Sequence, residues 1–118
     1  MAYTGFVSLQ IFGTRKSSDT RKAERFFKDR GVGYQFIDLA DKGISAGELR
    51  AISRAVGQDA LIDVAGPLYG KKGLAYIEHD VEEEILKDPL LLRMPVVRDG
   101  AKAVIGADSG KLESFLKT

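Results

Sequence analysis

The feature that most constrains how this chain folds is a hairpin signal near its C-terminus. Two β-rich runs within residues 94–106 flank Asp99-Gly100. A tight two-residue turn needs positive φ, which glycine and aspartate tolerate, so this dipeptide predicts two antiparallel strands. Asp108 then predicts the cap of a last helix. The inward side of that helix is expected to consist of Leu112, Phe115 and Leu116.

The N-terminal third has the pattern of two strands joined by a helix. Residues 7–12 alternate apolar and polar before Gly13, and residues 34–37 form a second apolar run. Between them, apolar residues recur at helical spacing over residues 20–30. Because a helical crossover of this kind is right-handed and joins parallel strands, a βαβ unit is predicted. Together with the hairpin, it gives a four-stranded mixed sheet in an α/β fold.

The middle of the chain is predicted to be a helical insertion at about residues 45–90. Ser45 with Glu48, and Asp80 with Glu83, have the spacing of N-terminal capping residues. Residues 58–62 suggest a short helical turn, whereas the glycine-rich residues 66–73 are expected to be an exposed irregular loop. The absence of a linker or repeat predicts a single domain over residues 1–118.

Composition excludes several classes of function. The chain has no cysteine, and its single histidine, His79, has no metal-ligand spacing around it, so no metal or cofactor site is expected. Eighteen basic and seventeen acidic residues give a net charge of +1, which provides no overall field for direct nucleic-acid binding. No membrane segment is predicted, and residues 1–10 lack a secretory signal, so a cytoplasmic protein is expected.

Three segments resemble the arsenate reductase (ArsC)/Spx-like family. Residues 12–23 resemble the family's opening, in which a strand end leads to a cysteine, two spacers, a fourth position that is sometimes cysteine, and Arg-Lys-Ala. Residues 88–97 resemble the family's proline, apolar run, Arg-Pro and strand, and residues 104–106 resemble its closing motif. The resemblance implies a thioredoxin-like fold and a cis peptide bond before Pro95, which borders the family's active site.

The departures from the family fall on its chemistry. Ser17 occupies the position of the catalytic cysteine, and Thr20 occupies the second position of the CxxC members. A serine hydroxyl is not ionised near neutral pH without a base and forms no disulfide. Thiol and redox chemistry are therefore expected to be absent.

The arginines that hold the oxyanion in arsenate reductases are also missing. Their positions fall near Asp63, Met94 and Gly106, none of which is basic. Arg93 adjoins the second position, but a shift of one residue beside a strand sends a side chain in another direction. Arsenate reduction is therefore not expected, for two independent reasons.

What remains at this site is a helix N-terminus surrounded by hydroxyls and cations. Such a terminus can bind an anion through its free backbone N–H groups. The candidate anion-binding or ligand-binding residues are Arg15, Lys16, Ser17, Ser18, Thr20, Arg21 and Arg93. The alternative, which we favour, is that serine or aspartate merely caps the helix, because these are preferred capping residues and Asp19 disfavours an anion.

The resemblance leaves three functions open. The first is a non-redox binding or regulatory module with a protein partner, for which RNA polymerase is suggested only by analogy with Spx-type relatives. The second is an enzyme, related to glutaredoxin-dependent arsenate reductases, that binds glutathione or an oxyanion at the Ser17 helix. The third is a structural subunit whose interactions do not depend on Ser17.

Overall fold

The computed structural model describes residues 8–117, and its N-terminal third forms the expected βαβ unit. Strand β1 (Leu9–Gly13) leads into helix α1 (Ser18–Asp29), which returns the chain to strand β2 (Gln35–Asp38). The two strands are parallel, with Ile11 opposite Phe36. The predicted strand start at Val7 lies outside the described residues.

The insertion contains three helices and three short 3-10 turns. The helices are α2 (Ala46–Val56), α3 (Pro67–Lys71) and α4 (Val81–Lys87), and the turns are Gln58–Ala60, Leu74–Tyr76 and Pro89–Leu91. Both predicted caps are present: Ser45 and Glu48 form a reciprocal capping box, and the Asp80 carboxylate accepts from the backbone N–H of Glu83 at 3.0 Å.

The prediction of an irregular loop at residues 66–73 is wrong at α3. Gly66 is the residue before this helix, with an extended backbone, and Pro67 occupies its first turn. Proline suits that position because its fixed φ is already helical and its missing N–H would have no partner there. Glycine and proline therefore mark the start of a helix here and not an interruption of the chain.

The hairpin consists of β3 (Val96–Asp99) and β4 (Lys102–Ile105). Helix α5 (Ser109–Lys117) follows it and is the last element of the described residues. Asp99 is itself the last residue of β3 and pairs with Lys102, so the loop residues are Gly100 and Ala101. The predicted turn is therefore displaced by one residue, because Gly100, at φ +65°, supplies the positive φ at the first loop position.

The four strands form one mixed sheet in the order β2-β1-β3-β4, in which only β1 and β2 are parallel. This arrangement of βαβ followed by ββα confirms the predicted thioredoxin-like fold.

The sheet separates two hydrophobic cores. One lies towards the insertion and includes Phe12, Leu49, Ile85 and Val96. The other lies towards α1 and α5 and includes Ile11, Phe27, Val97, Leu112 and Phe115. Leu116 differs from its prediction: it is 36% exposed, because the inward side of α5 is already occupied by Leu112 and Phe115. Among residues 8–117, no helix has the length and apolar character needed to cross a membrane.

Candidate functional site

A cleft of about 370 Å³ lies where β1 and β2 end. It is formed by the loop that follows β1, by the end of β2 and by the segment that precedes β3. The residues that line it are Thr14, Arg15, Lys16, Asp38, Ala40, Leu90 and Met94. The cleft therefore occupies the place in this fold where the resemblance puts the family's active site.

Ser17 stands beside this cleft as the N-cap of α1. Its backbone is extended, at φ −77° and ψ 120°, and its hydroxyl oxygen accepts from the backbone N–H of Thr20 at 3.1 Å. Its own N–H donates to the carbonyl of Thr14, also at 3.1 Å. A serine that accepts a hydrogen bond from a free N–H of the first helical turn functions as an N-cap. Ser18 and Asp19 follow as exposed residues of the first turn.

Thr20 does not face the cleft, which differs from its prediction as a ligand-binding residue. Its side chain is fully buried, and its hydroxyl oxygen has no hydrogen-bond partner within residues 8–117. It packs against the backbone of Gly13, so closely that a Cβ added at Gly13 would stand 2.6 Å from the Thr20 methyl carbon. Sequence spacing places Thr20 in the first turn of α1, but only the tertiary packing shows that this side of the turn lies against β1.

Arg15 is held by an acidic residue of the chain itself. Its guanidinium lies 3.3 Å from both carboxylate oxygens of Glu24 and 4.2 Å from the centre of the Phe36 ring. The Glu24 side chain is only 6% exposed, whereas that of Arg15 is 62% exposed. The carboxylate also accepts from the hydroxyl of Tyr34 at 2.7 Å. We call Arg15, Glu24 and Tyr34 the Glu24 cluster.

The Glu24 cluster perturbs the ionisation of its phenol. Burial, followed by the hydrogen bond to Glu24 and the charge of that carboxylate, raises the pKa of Tyr34 from 10.0 to about 12, and the nearby Arg15 acts in the opposite direction. Burial disfavours the phenolate because the charged form loses its hydration, and Glu24 disfavours it because a second negative charge would form beside a buried carboxylate. Tyr34 is therefore a neutral hydrogen-bond donor at physiological pH and no acid or base.

The other predicted cations differ in whether their side chains are engaged by other groups of the protein. Arg21 donates from its guanidinium to the backbone carbonyl of Arg15 at 2.6 Å, which ties α1 to the loop before it. Lys16 is exposed and lines the cleft, with no ion pair to any residue of 8–117. Asp38 brings an opposing charge into the same cleft, and its carboxylate accepts from the N–H of Ala40 at 3.0 Å.

The segment before β3 supplies the far wall of the cleft. The Met94–Pro95 peptide bond is cis, as the resemblance implies, and buried Pro95 accepts from the N–H of Gly106 at 2.9 Å. Met94 lines the cleft. Arg93 is not among the lining residues: its side chain Nε donates to the carbonyl of Ile62 at 3.2 Å, which directs it towards the insertion.

A second cleft of about 400 Å³ adjoins the first and shares Leu90 with it. Its lining includes Asp63, Pro67, Leu68 and Lys71. Asp63 holds one of the three positions at which the resemblance expects an arginine, and its carboxylate lies over Gly66. Met94 and Gly106 hold the others, so none of the three positions presents a guanidinium to an oxyanion.

The sequence did not point to Asp38, Ala40 or Leu90 as site residues. The only available signal for Asp38 was that it follows the predicted second strand, whose carboxyl end lies beside that of β1. Leu90 lies in an apolar run and is 43% exposed, which no periodicity in the sequence indicates. Within residues 8–117, no group of three or more metal-ligating side chains comes together.

Comparison with known proteins supports the resemblance. No protein-family model matches the chain. It is similar to the global transcriptional regulator Spx 2 of Oceanobacillus iheyensis, at 27% identity over 115 residues that cover 93% of this chain and 84% of that protein.

Solved structures show the same fold. A putative ArsC family related protein from Bacteroides fragilis has a TM-score of 0.80 at 15% identity, covering 92% of this chain and 97% of its own. An arsenate reductase from Vibrio cholerae has a TM-score of 0.79 at 19% identity, covering 90% and 95%. These solved structures confirm the thioredoxin-like fold.

Proposed function

We propose that this chain, a cysteine-free and divergent member of the arsenate reductase/Spx-like family, is a non-redox binding or regulatory module. The observation that carries the proposal is at Ser17. The residue at the catalytic-cysteine position has its hydroxyl oxygen engaged as a helix cap, and the chain contains no thiol anywhere. Fold and chemistry are separable, so the scaffold can serve recognition after its reaction is lost.

The charges of the cleft support binding over catalysis. Reduction of arsenate consumes two electrons, and a protein without cysteine has no thiol to supply them. Arg15 is already paired with Glu24, and Asp38 adds a negative charge to the cleft. Among the described residues that line the cleft, a small oxyanion would therefore meet one cation without an ion pair, Lys16, together with a carboxylate that repels it.

The partner we propose is a protein that covers the cleft and its rim. Leu90 and Met94 offer apolar contact and Lys16 offers charge, and protein interfaces combine contacts of both kinds. The similarity to a transcriptional regulator makes RNA polymerase the first candidate, by analogy alone, and it also favours action in the cytoplasm.

The test compares partner capture by two charge-reversed variants. Tagged wild-type protein, Lys16→Glu and Lys111→Glu are used to isolate partners from the cells that make the protein, and bound proteins are identified by mass spectrometry. Lys111 is an exposed residue of α5, away from the cleft, and gives a matched control. We expect a partner that the wild type and Lys111→Glu retain and that Lys16→Glu loses.

An NMR titration separates this proposal from the enzyme alternative. Glutathione, phosphate and arsenate are added to the protein while the amides of residues 16–22 and 94–96 are followed. The proposal predicts no saturable shift with these small molecules. Saturable shifts confined to these amides, together with turnover that Ser17→Ala abolishes, would replace the binding module with a ligand-dependent enzyme.

A further inference from the structure

One solvent-exposed side of α1 carries a row of basic residues. Arg21, Arg25 and Lys28 are all exposed. Their spacing of four and three residues places them on one side of the helix, over about 10 Å along its axis. We call these three residues the basic face.

Within residues 8–117, the basic face forms no ion pair with an acidic residue. The four ion pairs among residues 8–117 are Arg15–Glu24, Arg30–Glu113, Lys72–Asp88 and Lys87–Glu84. Glu24 lies on the same helix, but it is only 5% exposed and its carboxylate is engaged by Arg15 and Tyr34. The Glu24 carboxylate is thus turned away from the surface. Asp19 and Asp29, the exposed acids of the same helix, form no ion pair with the three cations.

The surface at the basic face is concave. A depression of about 280 Å³ is lined by Arg15, Arg21, Glu24, Arg25, Lys28 and Asp29. Arg21 also donates to the backbone carbonyl of Arg15, which restricts its rotation. A concave and partly ordered row of cations is better suited to a matching set of anions than freely moving side chains are, because less side-chain entropy is lost on binding.

The charge of the chain is strongly segregated. Residues 15–28 contain six basic and two acidic residues, a net charge of +4, whereas the whole chain has +1. Residues 78–84 contain five acidic residues and neither lysine nor arginine. The small net charge therefore hides a local basic region, and any long polyanion would also encounter the acidic segment.

We propose that the basic face docks an acidic segment of a protein partner. Three cations spaced over about two helical turns match three or four carboxylates of a helix or a short extended stretch. Nucleic acid is disfavoured, because the net charge is small and the basic face is limited to one helix. The basic face shares none of its three residues with the cleft, although Arg15 borders both the cleft and the depression. The inference therefore goes beyond the proposed function and is tested at different residues.

The experiment measures the binding of the full chain to a fluorescent acidic peptide. The peptide carries glutamates along one side of a helix of about three turns, and a second peptide has glutamine at the same places. Fluorescence anisotropy is measured in about 0.15 M salt, where charges more than about 8 Å apart are screened.

Two pairs of arginines with the same spacing provide a matched comparison. Arg21→Gln/Arg25→Gln changes the basic face, and Arg50→Gln/Arg54→Gln makes the same change on exposed positions of α2. We expect the first to weaken binding about fivefold and the second to leave it unchanged. Arg25→Gln/Lys28→Gln keeps the contact between Arg21 and Arg15 and should weaken binding to a similar extent.

Several results would overturn the proposal. The first is that Arg21→Gln/Arg25→Gln and Arg50→Gln/Arg54→Gln weaken peptide binding equally. The second is that the glutamate peptide shows no measurable binding to the protein, and the third is that a DNA duplex of similar charge binds more tightly than the peptide. Self-association that Arg21→Gln/Arg25→Gln abolishes would show that the occupant is a second copy of the chain. Because Lys16→Glu tests the cleft and leaves the basic face intact, failure of one proposal does not imply failure of the other.

Discussion

The two sides of the first turn of α1 behave differently, although the resemblance assigns a thiol position to each. On the outer side, Ser17 is partly exposed beside the cleft and uses its hydroxyl to hold the helix start. On the inner side, Thr20 is fully buried against Gly13, and its hydroxyl has no hydrogen-bond partner in the described part of the chain. Only the outer side is available to a ligand, and the inner side belongs to the protein core.

The largest effect is expected for Gly13→Ala, which tests how tightly the inner side is packed. The new Cβ would stand 2.6 Å from the Thr20 methyl carbon and even closer to its hydroxyl oxygen. Overpacking of this kind should lower the free energy of unfolding by about 2 kcal/mol, as measured by urea denaturation. The double variant Gly13→Ala/Thr20→Ala removes the two clashing atoms and should recover most of the loss. If it recovers nothing, Thr20 is not the cause.

A smaller loss is expected for Ser17→Ala on the outer side. The change removes the hydroxyl that accepts from the Thr20 N–H, so the free energy of unfolding should fall by about 1 kcal/mol. Ser17→Asp keeps an acceptor at the same place and should be close to the wild type. Ser45→Ala, which removes the corresponding cap of α2, should cost a similar amount. An unchanged stability for Ser17→Ala would mean that the Ser17 hydroxyl does not stabilise the start of the helix.

An effect of opposite sign is expected for Thr20→Val. The substitution replaces a buried, unpartnered hydroxyl by a methyl group of similar size, so thermal or urea unfolding should show a gain of about 1 kcal/mol. Thr14→Val, in a partly exposed position of the cleft, should show no such gain. A loss of stability in Thr20→Val would show that its hydroxyl has a partner in solution and would weaken the contrast between the two sides.

The smallest effect on stability is expected at the Glu24 cluster, and it is confined to alkaline pH. The pKa of Tyr34 is raised from 10.0 to about 12 in the folded protein, so folding favours the protonated phenol. This contribution is complete below pH 10 and is lost as the pH rises to 12, because both states then release the proton. Urea unfolding over this range should be less pH-dependent in Tyr34→Phe than in the wild type.

The control for Tyr34 is Tyr76→Phe, which changes a tyrosine that is 91% exposed. This variant should keep the pH dependence of the wild type. If Tyr34→Phe and Tyr76→Phe have the same slope between pH 10 and pH 12, the Glu24 cluster does not hold the phenol in its protonated form.

Much of the fold could be predicted because its signals are local. The capping pairs at Ser45 and Asp80 and the glycine turn at Gly100 depend on residues that are close in sequence. The parallel pairing of the first two strands and the antiparallel pairing of the last two then followed from rules on crossover connections and hairpins. Helix α3 was missed because Gly66-Pro67 fits both a loop and a helix start, and only the packing of the following residues distinguishes the two.

The site was less predictable because its contacts are distant in sequence. Arg15 and Lys16 had equal standing as cations in the sequence, and the structure distinguishes them because Glu24 and Tyr34 meet only Arg15. The burial of Thr20 depends on the close approach of β1, and the place of Leu90 depends on how the insertion folds back. Such contacts leave no periodic pattern in the residues that make them.

The division of the interior by the sheet has a consequence for redesign. Ile11 and Phe12 are consecutive residues of β1, and Val96 and Val97 are consecutive residues of β3, yet the members of each pair belong to different cores. Side chains in one compartment can be exchanged for others of equal total volume without reference to the opposite compartment. Neighbouring residues of the strands are the exception, and Phe36 and Ile37 of β2 are divided between the cores in the same way. A backbone shift that suits a new side chain in one core would also move the adjacent side chain in the other.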